Sequence, residues 1–375
     1  MITLVALCAI GAEKVLAQEI KHLDYTPCGN APGRVAFTAP NQDALFRANL
    51  CLRTADRVYI QLASFYAEDF DQLFDGISAI DWQDYFYKDV RVVVDKVRSN
   101  KSKLSSEHSV QKIVHKAIYT KLGQIWRMSV LPESGAESSV RIYIDQNQVL
   151  VLLDLSGEPL NKRGYRTAGG EAPIRETLAA TLLQLMCWRR KTPLHDPFCG
   201  SGTIAIEAAL YAYNIAPGFG RHFALENLSI YDQARCLEIK KEEAAKIRPD
   251  ATARITGTDI NPEAVARAKM NAEHACVSAG RALQLIGSDM RIQRPDFVTA
   301  DFMILATPPY GERLGNEQEA QELYHDMAEL FESFPNWQMG FITSHPGFER
   351  ALGRHATKTK RVKCGNLETV FYSFL

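Results

Sequence analysis

The apolar run Leu4–Ile10 opens the chain and predicts a buried strand, because it lacks a basic leader and passes directly into Gly11-Ala12-Glu13-Lys14. Spacing of apolar positions then predicts a helix over Ala12–Leu23, a strand at Arg34–Phe37 and a second helix over Gln42–Leu50. Val90–Val97 alternates as a strand does. Ser105 or Ser106 is placed to cap a helix whose apolar stripe is Val110, Ile113, Val114, Ala117, Ile118 and Leu122. Two apolar strands, Val140–Ile144 and Val149–Leu155, complete a first third built from short elements of both kinds.

The polar, glycine-rich stretch Leu160–Pro173 breaks the pattern and reads as a domain boundary. A helix over Ile174–Arg189 follows, and then strand, turn and helix alternate: Leu194–His195, Ile204–Tyr213, Ala253–Thr258, Pro262–Ala275, Ala282–Ile286, Phe302–Ala306, Glu319–Phe334 and Met339–Thr343. Alternation of that kind predicts a mostly parallel sheet covered by helices on both faces. The length, 375 residues, agrees with more than one domain, since single cores stop growing near roughly 250 residues.

Composition narrows the class. Hydrophobic residues at 46% and charged residues at 23% exclude a disordered or collagenous chain. The absence of any apolar run of about 18 residues argues against a membrane span. Eight cysteines scattered without a C-x-x-C pair suggest reduced thiols in a cytoplasm and no metal site. The formal charge of −1 gives no hint of a polyanionic partner, but its distribution does. Six acids and no Lys or Arg lie between Glu68 and Asp84, whereas Lys88–Arg127 holds ten basic residues against Asp89, Asp95 and Glu107. Arg98, Lys101, Lys103, Lys112 and Lys116 could neutralise a row of phosphates; the alternative is a solvated helix face beside a charged loop. A second basic run, Arg350, Arg354, Lys358, Lys360, Arg361 and Lys363, reads either as an extension of that footprint or as an edge strand guarded by lysines.

Chemistry concentrates in the second half. His195-Asp196-Pro197-Phe198-Cys199-Gly200-Ser201-Gly202-Thr203 is a strand end, a tight glycine turn and a helix start, which lets backbone N–H groups approach a ligand. A dinucleotide fingerprint needs an acid about 20 residues on, and the next strand-end acid, Asp259, lies far beyond that. Asp259 can accept both hydroxyls of a ribose, or merely cap the helix beginning at Pro262. Asp289 can accept from an adenine amine with Ile260 and Met290 flanking the ring, or be a turn aspartate. Thr307-Pro308-Pro309-Tyr310 ends the next strand: the prolines remove donors and leave carbonyls as acceptors, with an aromatic beside them for a flat base.

These residues resemble the class I S-adenosylmethionine-dependent methyltransferases. Together with Ala48–Val58, Leu160–Arg166, Ala172-Pro173-Ile174 and Pro308–Leu314, the chain resembles the bacterial THUMP-domain rRNA guanine-N2 methyltransferases, a family often labelled N6-adenine-specific DNA methylases. The resemblance implies an α/β fold with a Rossmann-like methyltransferase domain, whose mostly parallel sheet has seven strands, over residues 157–375. It further implies a ferredoxin-like segment over 1–44 and an α+β THUMP domain over 45–156 that binds RNA, in the first instance 23S rRNA or a large-subunit assembly intermediate. By matching position, Asp196, Pro197, Cys199, Gly200, Ser201, Gly202, Thr203, Asp259, Ile260, Asp289 and Met290 would hold S-adenosyl-L-methionine. Thr307, Pro308, Pro309 and Tyr310 would receive the target base, and Arg163 and Arg166 would add to the RNA contacts. The family motif begins with Asn where this chain has Thr307. A DNA adenine methyltransferase and an RNA-binding module without catalysis therefore stand as alternatives to an RNA guanine-N2 methyltransferase.

Overall fold

The computed structural model describes residues 1–166, 173–277, 282–290, 302–309, 317–333, 337–364 and 367–375. The first part contains β1 (Ile2–Leu7), α1 (Glu13–His22), β2 (Thr26–Ala31), β3 (Arg34–Ala39), α2 (Asp43–Cys51), β4 (Arg57–Tyr66), α3 (Phe70–Ser78), β5 (Arg91–Asn100), α4 (Glu107–Trp126), β6 (Glu137–Asp145) and β7 (Gln148–Asp154). Its strands form one seven-stranded sheet in the order β2-β3-β1-β4-β7-β6-β5. Ser106 caps α4 by accepting from the Ser109 N–H, and Val110, Val114, Ala117, Ile118 and Leu122 form its buried stripe, as the spacing predicts. β4 pairs with both β1 and β7, so a single sheet joins β1–β3 to β5–β7.

The second part contains α5 (Glu176–Leu185), β8 (Leu194–Asp196), α6 (Thr203–Ala212), α7 (Gln233–Ala244), β9 (Ile255–Asp259), α8 (Pro262–His274), β10 (Leu283–Gly287), β11 (Met303–Ala306), α9 (Glu317–Ser333), β12 (Gln338–Thr343), α10 (Phe348–Leu352), β13 (Lys358–Cys364) and β14 (Leu367–Phe374). The order β10-β9-β8-β11-β12-β14-β13 makes a second seven-stranded sheet. It is parallel from β10 to β12, and β14 runs antiparallel to both β12 and β13. Order reverses beside β8, with β9 on one side and β11 on the other, which opens a crevice at the C-terminal ends of the strands.

Residues 216–239 do not stay with this second sheet. Ala216, Phe223, Leu225, Leu228, Cys236 and Ile239 belong to the core cluster of the first part. α7 is fastened to α2 by ion pairs of Arg47 with Glu242 and Glu243 and of Arg235 with Asp43.

Beneath that contact lies a buried ionic lock. Arg163, expected to face RNA, has a side chain only 3% exposed and pairs with Glu207, which is 0% exposed, at 3.4 Å. It also donates to the carbonyls of Leu160 and Arg53, while the Tyr165 hydroxyl donates to Glu207 at 3.3 Å. Arg166, given the same expectation, is held by Glu176, the Ile174 carbonyl and the Thr203 hydroxyl at 2.8 Å. Arg163 corrects the sequence reading: its guanidinium is buried and bonded within the fold, while Arg166, partly exposed, is tied to the same strap.

Arg163→Met leaves the Glu207 carboxylate buried without its cation and should destabilise the protein by about 3–5 kcal/mol in urea unfolding. The double variant Arg163→Met/Glu207→Leu should recover much of that loss. A single-variant loss under ~1 kcal/mol, the scale of an exposed pair, would show that the lock does not hold the two parts together.

Candidate active site

Parallel register brings the sequence-predicted groups to one edge of the second sheet. Asp196 ends β8, Asp259 ends β9, Ser288-Asp289 leave β10 and Thr307-Pro308-Pro309 leave β11. Asp196 is in register with Gly257, and Gly287 with Asp259, so the carboxyl groups sit side by side along the strand ends.

The loop after β8 is shaped by its glycines. Gly200 and Gly202 have φ of +52° and +83°, the left-handed region that side chains disfavour. A Cβ at Gly200 would meet nothing within 4 Å, so that backbone face is open, whereas one at Gly202 would lie 3.0 Å from Ala268 Cβ. The loop is tied to the neighbouring strand: the Gly200 N–H donates to Asp259 Oδ2 at 2.9 Å and the Cys199 N–H to the Thr258 carbonyl at 2.8 Å. Ser201 is supported from α8, where Asn271 donates to its carbonyl at 3.0 Å. Pro197, Cys199 and Thr203 are buried beneath the loop, and burial pushes the Cys199 thiol up, so it stays protonated.

Asp259 is not the cap of α8. That role falls to Asn261, whose side chain accepts from the Glu263 N–H at 2.9 Å. Asp259 Oδ1 accepts from the Asn261 N–H at 2.9 Å, so both carboxylate oxygens are oriented and each retains a free lone pair. Beside it Ile260 is 70% exposed, an apolar side chain left open at the crevice. Met290, expected to share that role, is buried in the cluster that contains Phe302 and Ile304. Asp289 is half-buried. Asp196 is buried, and desolvation, partly offset by the Phe198 N–H and added to by Asp259, pushes its pKa up to about 8. An open glycine backbone, two oriented carboxyl groups and one exposed apolar side chain fit a ligand with a sugar, a flat ring and a cationic end.

On the β11 side Thr307 is half-buried and Pro308 buried. The Pro309 carbonyl, expected to face outward, instead accepts from the Tyr324 hydroxyl at 3.0 Å, and that hydroxyl lies 3.3 Å from Thr343 Oγ1. The Thr307 hydroxyl and the Pro308 carbonyl remain as the candidate acceptors of the motif. Tyr310 lies outside the described residues. Tyr324 carries no local sequence signal, since its partner is fifteen positions away in a different element.

A crevice of this geometry at the switch point of a doubly wound sheet defines a class I methyltransferase-like site. The chain belongs to the family described as RMKL-like, methyltransferase domain, which matches residues 163–373, and it also matches the RlmL ferredoxin-like domain over 3–59 and the THUMP domain over 67–154. It is 41% identical to "Putative RNA methyltransferase YpsC" of Bacillus subtilis (strain 168), covering 99% of this chain and 95% of that protein. Among solved structures, a "possible methylase" from Clostridium difficile 630 superposes with a TM-score of 0.93 at 35% identity, covering 100% of this chain and 97% of that one. SMU.472, complexed with SAH, superposes with a TM-score of 0.90 at 36% identity, covering 100% and 97%.

Asp196 keeps its proton to about pH 8 in the folded protein, whereas unfolding restores a value near 3.8. Its contribution to stability is therefore fully present below the unfolded value and is lost as pH rises through the folded one. Asp196→Asn should flatten the decline in stability over that window, as measured by chemical unfolding of the ligand-free protein at a series of pH values. Parallel curves for the two proteins would refute the assignment.

Proposed function

We propose that this chain is an S-adenosylmethionine-dependent RNA methyltransferase of the cytoplasm that modifies the exocyclic amine of a base, guanine N2 of 23S rRNA. The single observation that carries the reading is the convergence of Asp196, Gly200, Gly202, Asp259 and Thr307–Pro309 on one sheet edge. The RNA half of the reading is supported by the THUMP match and by the basic surface of α4 and its preceding loop, where Lys101, Lys112 and Lys116 are exposed. Guanine N2 and 23S rRNA rest on the sequence resemblance of Ala48–Val58, Leu160–Arg166 and Pro308–Leu314. We assign residues 1–44 and 45–156 to RNA recognition and 157–375 to catalysis.

In this reading Asp259 accepts the ribose hydroxyls, Asp289 the adenine amine, and Ile260 packs on the adenine ring. The open backbone of Gly200–Gly202 and the edge at Asp196 receive the methionine portion. S-adenosylmethionine, when bound, supplies an electrophilic methyl group on a cationic sulfur. The Thr307 hydroxyl and the Pro308 carbonyl accept the two hydrogens of the target amine, which turns the nitrogen lone pair toward that methyl group. Tyr310 stacks on the base. Tyr324, whose hydroxyl also lies beside Thr343 Oγ1, holds the Pro309 carbonyl and so fixes the loop that presents these acceptors. No strong base is required: the C–N bond would form as the methyl–sulfur bond breaks, the sulfur would leave as the neutral thioether of S-adenosylhomocysteine, and the nitrogen, made cationic by the transfer, would then lose its proton to water.

Labelled methyl transfer to deproteinised large-subunit rRNA from an undermethylated strain, with duplex DNA in parallel, tests the reading. Incorporation should appear in RNA as N2-methylguanosine on nucleoside mass spectrometry, and Asp259→Ala should abolish cofactor binding by calorimetry. Transfer to DNA alone would establish the adenine alternative. No incorporation into either, even with Thr307→Asn, would reject both enzymatic readings.

A further inference from the structure

Six cations near the C-terminus, Arg350 on α10, Arg354 after it and Lys358, Lys360, Arg361 and Lys363 on β13, have no role in the site described above. Their placement is specific. β13 is the outer strand of the second sheet. Its Lys363 end lies beside β14, whose Val370 pairs with Thr343 at the end of β12, so the strip reaches the sheet edge that carries Thr307–Pro309. The same end touches the first part of the chain, where the Lys363 N–H donates to the Ile10 carbonyl at 3.1 Å. The strip thus runs from the junction of the two parts along the flank of the catalytic sheet.

On the first basic surface three cations are engaged internally, Arg98 with Glu107 at 2.9 Å, Lys103 with Glu68 at 2.5 Å and Arg91 with Glu137, while Lys101, Lys112 and Lys116 form no ion pair among the described residues. None of the six cations of the strip forms an ion pair among the described residues. The acids close by do not neutralise it: Glu349 accepts from the Ala356 N–H at 2.7 Å and lies 3.8 Å from His355, and Glu368 stands across the strand pair from Lys363 without an ion pair. Lysines on an outer strand can serve merely to block strand addition. That role does not account for Arg350 and Arg354, which lie off the strand.

We propose that this strip is a second phosphate-binding track, by which the catalytic sheet itself grips the backbone of the RNA whose base enters the site. The proposal rests on the RNA reading above and adds to it the surface of the catalytic part that the RNA crosses. Five of the six cations are exposed, with Arg354 resting on the Phe331 ring and Lys360 half-buried; such cations release counterions from RNA without first breaking an internal ion pair, so the strip should contribute to the salt dependence of binding.

The test uses the full chain carrying Lys358→Gln, Arg361→Gln and Lys363→Gln, with deproteinised large-subunit rRNA as probe. Binding is titrated at several salt concentrations, and cofactor affinity is measured by calorimetry. The slope of log K against log salt should become shallower by about 2, at ~0.7 per lost phosphate contact, with cofactor affinity unchanged. An unchanged slope and affinity, alone or with self-association of the variant in sedimentation, would leave only strand protection and overturn the proposal. Because unaltered protein that binds no RNA would overturn the RNA reading itself, the two failures are distinguishable.

Discussion

A guanidinium and a carboxylate removed from water together decide how the two sheets of this protein meet. Taking either ion inside alone would cost several kcal/mol, so Arg163 and Glu207 are stable only in each other's company and with their remaining donors and acceptors filled. Arg163 fills them with the carbonyls of Leu160 and Arg53, and Glu207 with the Tyr165 hydroxyl. One pair therefore fixes the loop after α2, the strap after β7 and the helix α6 relative to one another. Gly202 is the N-cap of α6, so the same lock sets the height of the glycine loop at the crevice.

The crevice is built on a related constraint. Asp196 and Asp259 stand at adjacent strand ends, one buried and proton-holding, the other oriented by two backbone N–H groups. Their difference comes from solvation and hydrogen bonding rather than from residue type: the fold strips water from one carboxyl and surrounds the other with donors. A ligand with a hydroxylated sugar at one point and a cationic end at another meets two chemically distinct carboxyl groups only a strand apart.

Across the strand order reversal, the loop of Thr307, Pro308 and Pro309 is held rather than free. Tyr324 reaches it from α9, and its hydroxyl lies beside Thr343 at the end of β12, so two elements distant in sequence from the loop help fix it. Most of the positioning in this site comes from second contacts of that kind. The glycine loop, for example, leans on Asn271 of α8 and on the Thr258 carbonyl of β9.

Sequence alone determined much of this protein. Regular period carries most of the elements, because apolar spacing is imposed by burial on one face, and the strand-end positions of Asp196, Asp259 and Thr307 follow from those elements. The mostly parallel character of the second sheet was legible for the same reason, and its seven strands were implied by the family resemblance. What only the tertiary structure decided is which polar groups look inward. Arg163 and Arg166 read as surface cations because nothing local distinguishes an arginine bound to carbonyls from one facing solvent. α7 has little periodic signal, as its contacts with α2 are largely ionic, and so its return to the first core was invisible. Met290 turned into the core, the Pro309 carbonyl turned toward Tyr324, and the second basic run formed no ion pair among the described residues. Each of these outcomes depends on partners far along the chain, which pattern within a window of sequence does not encode.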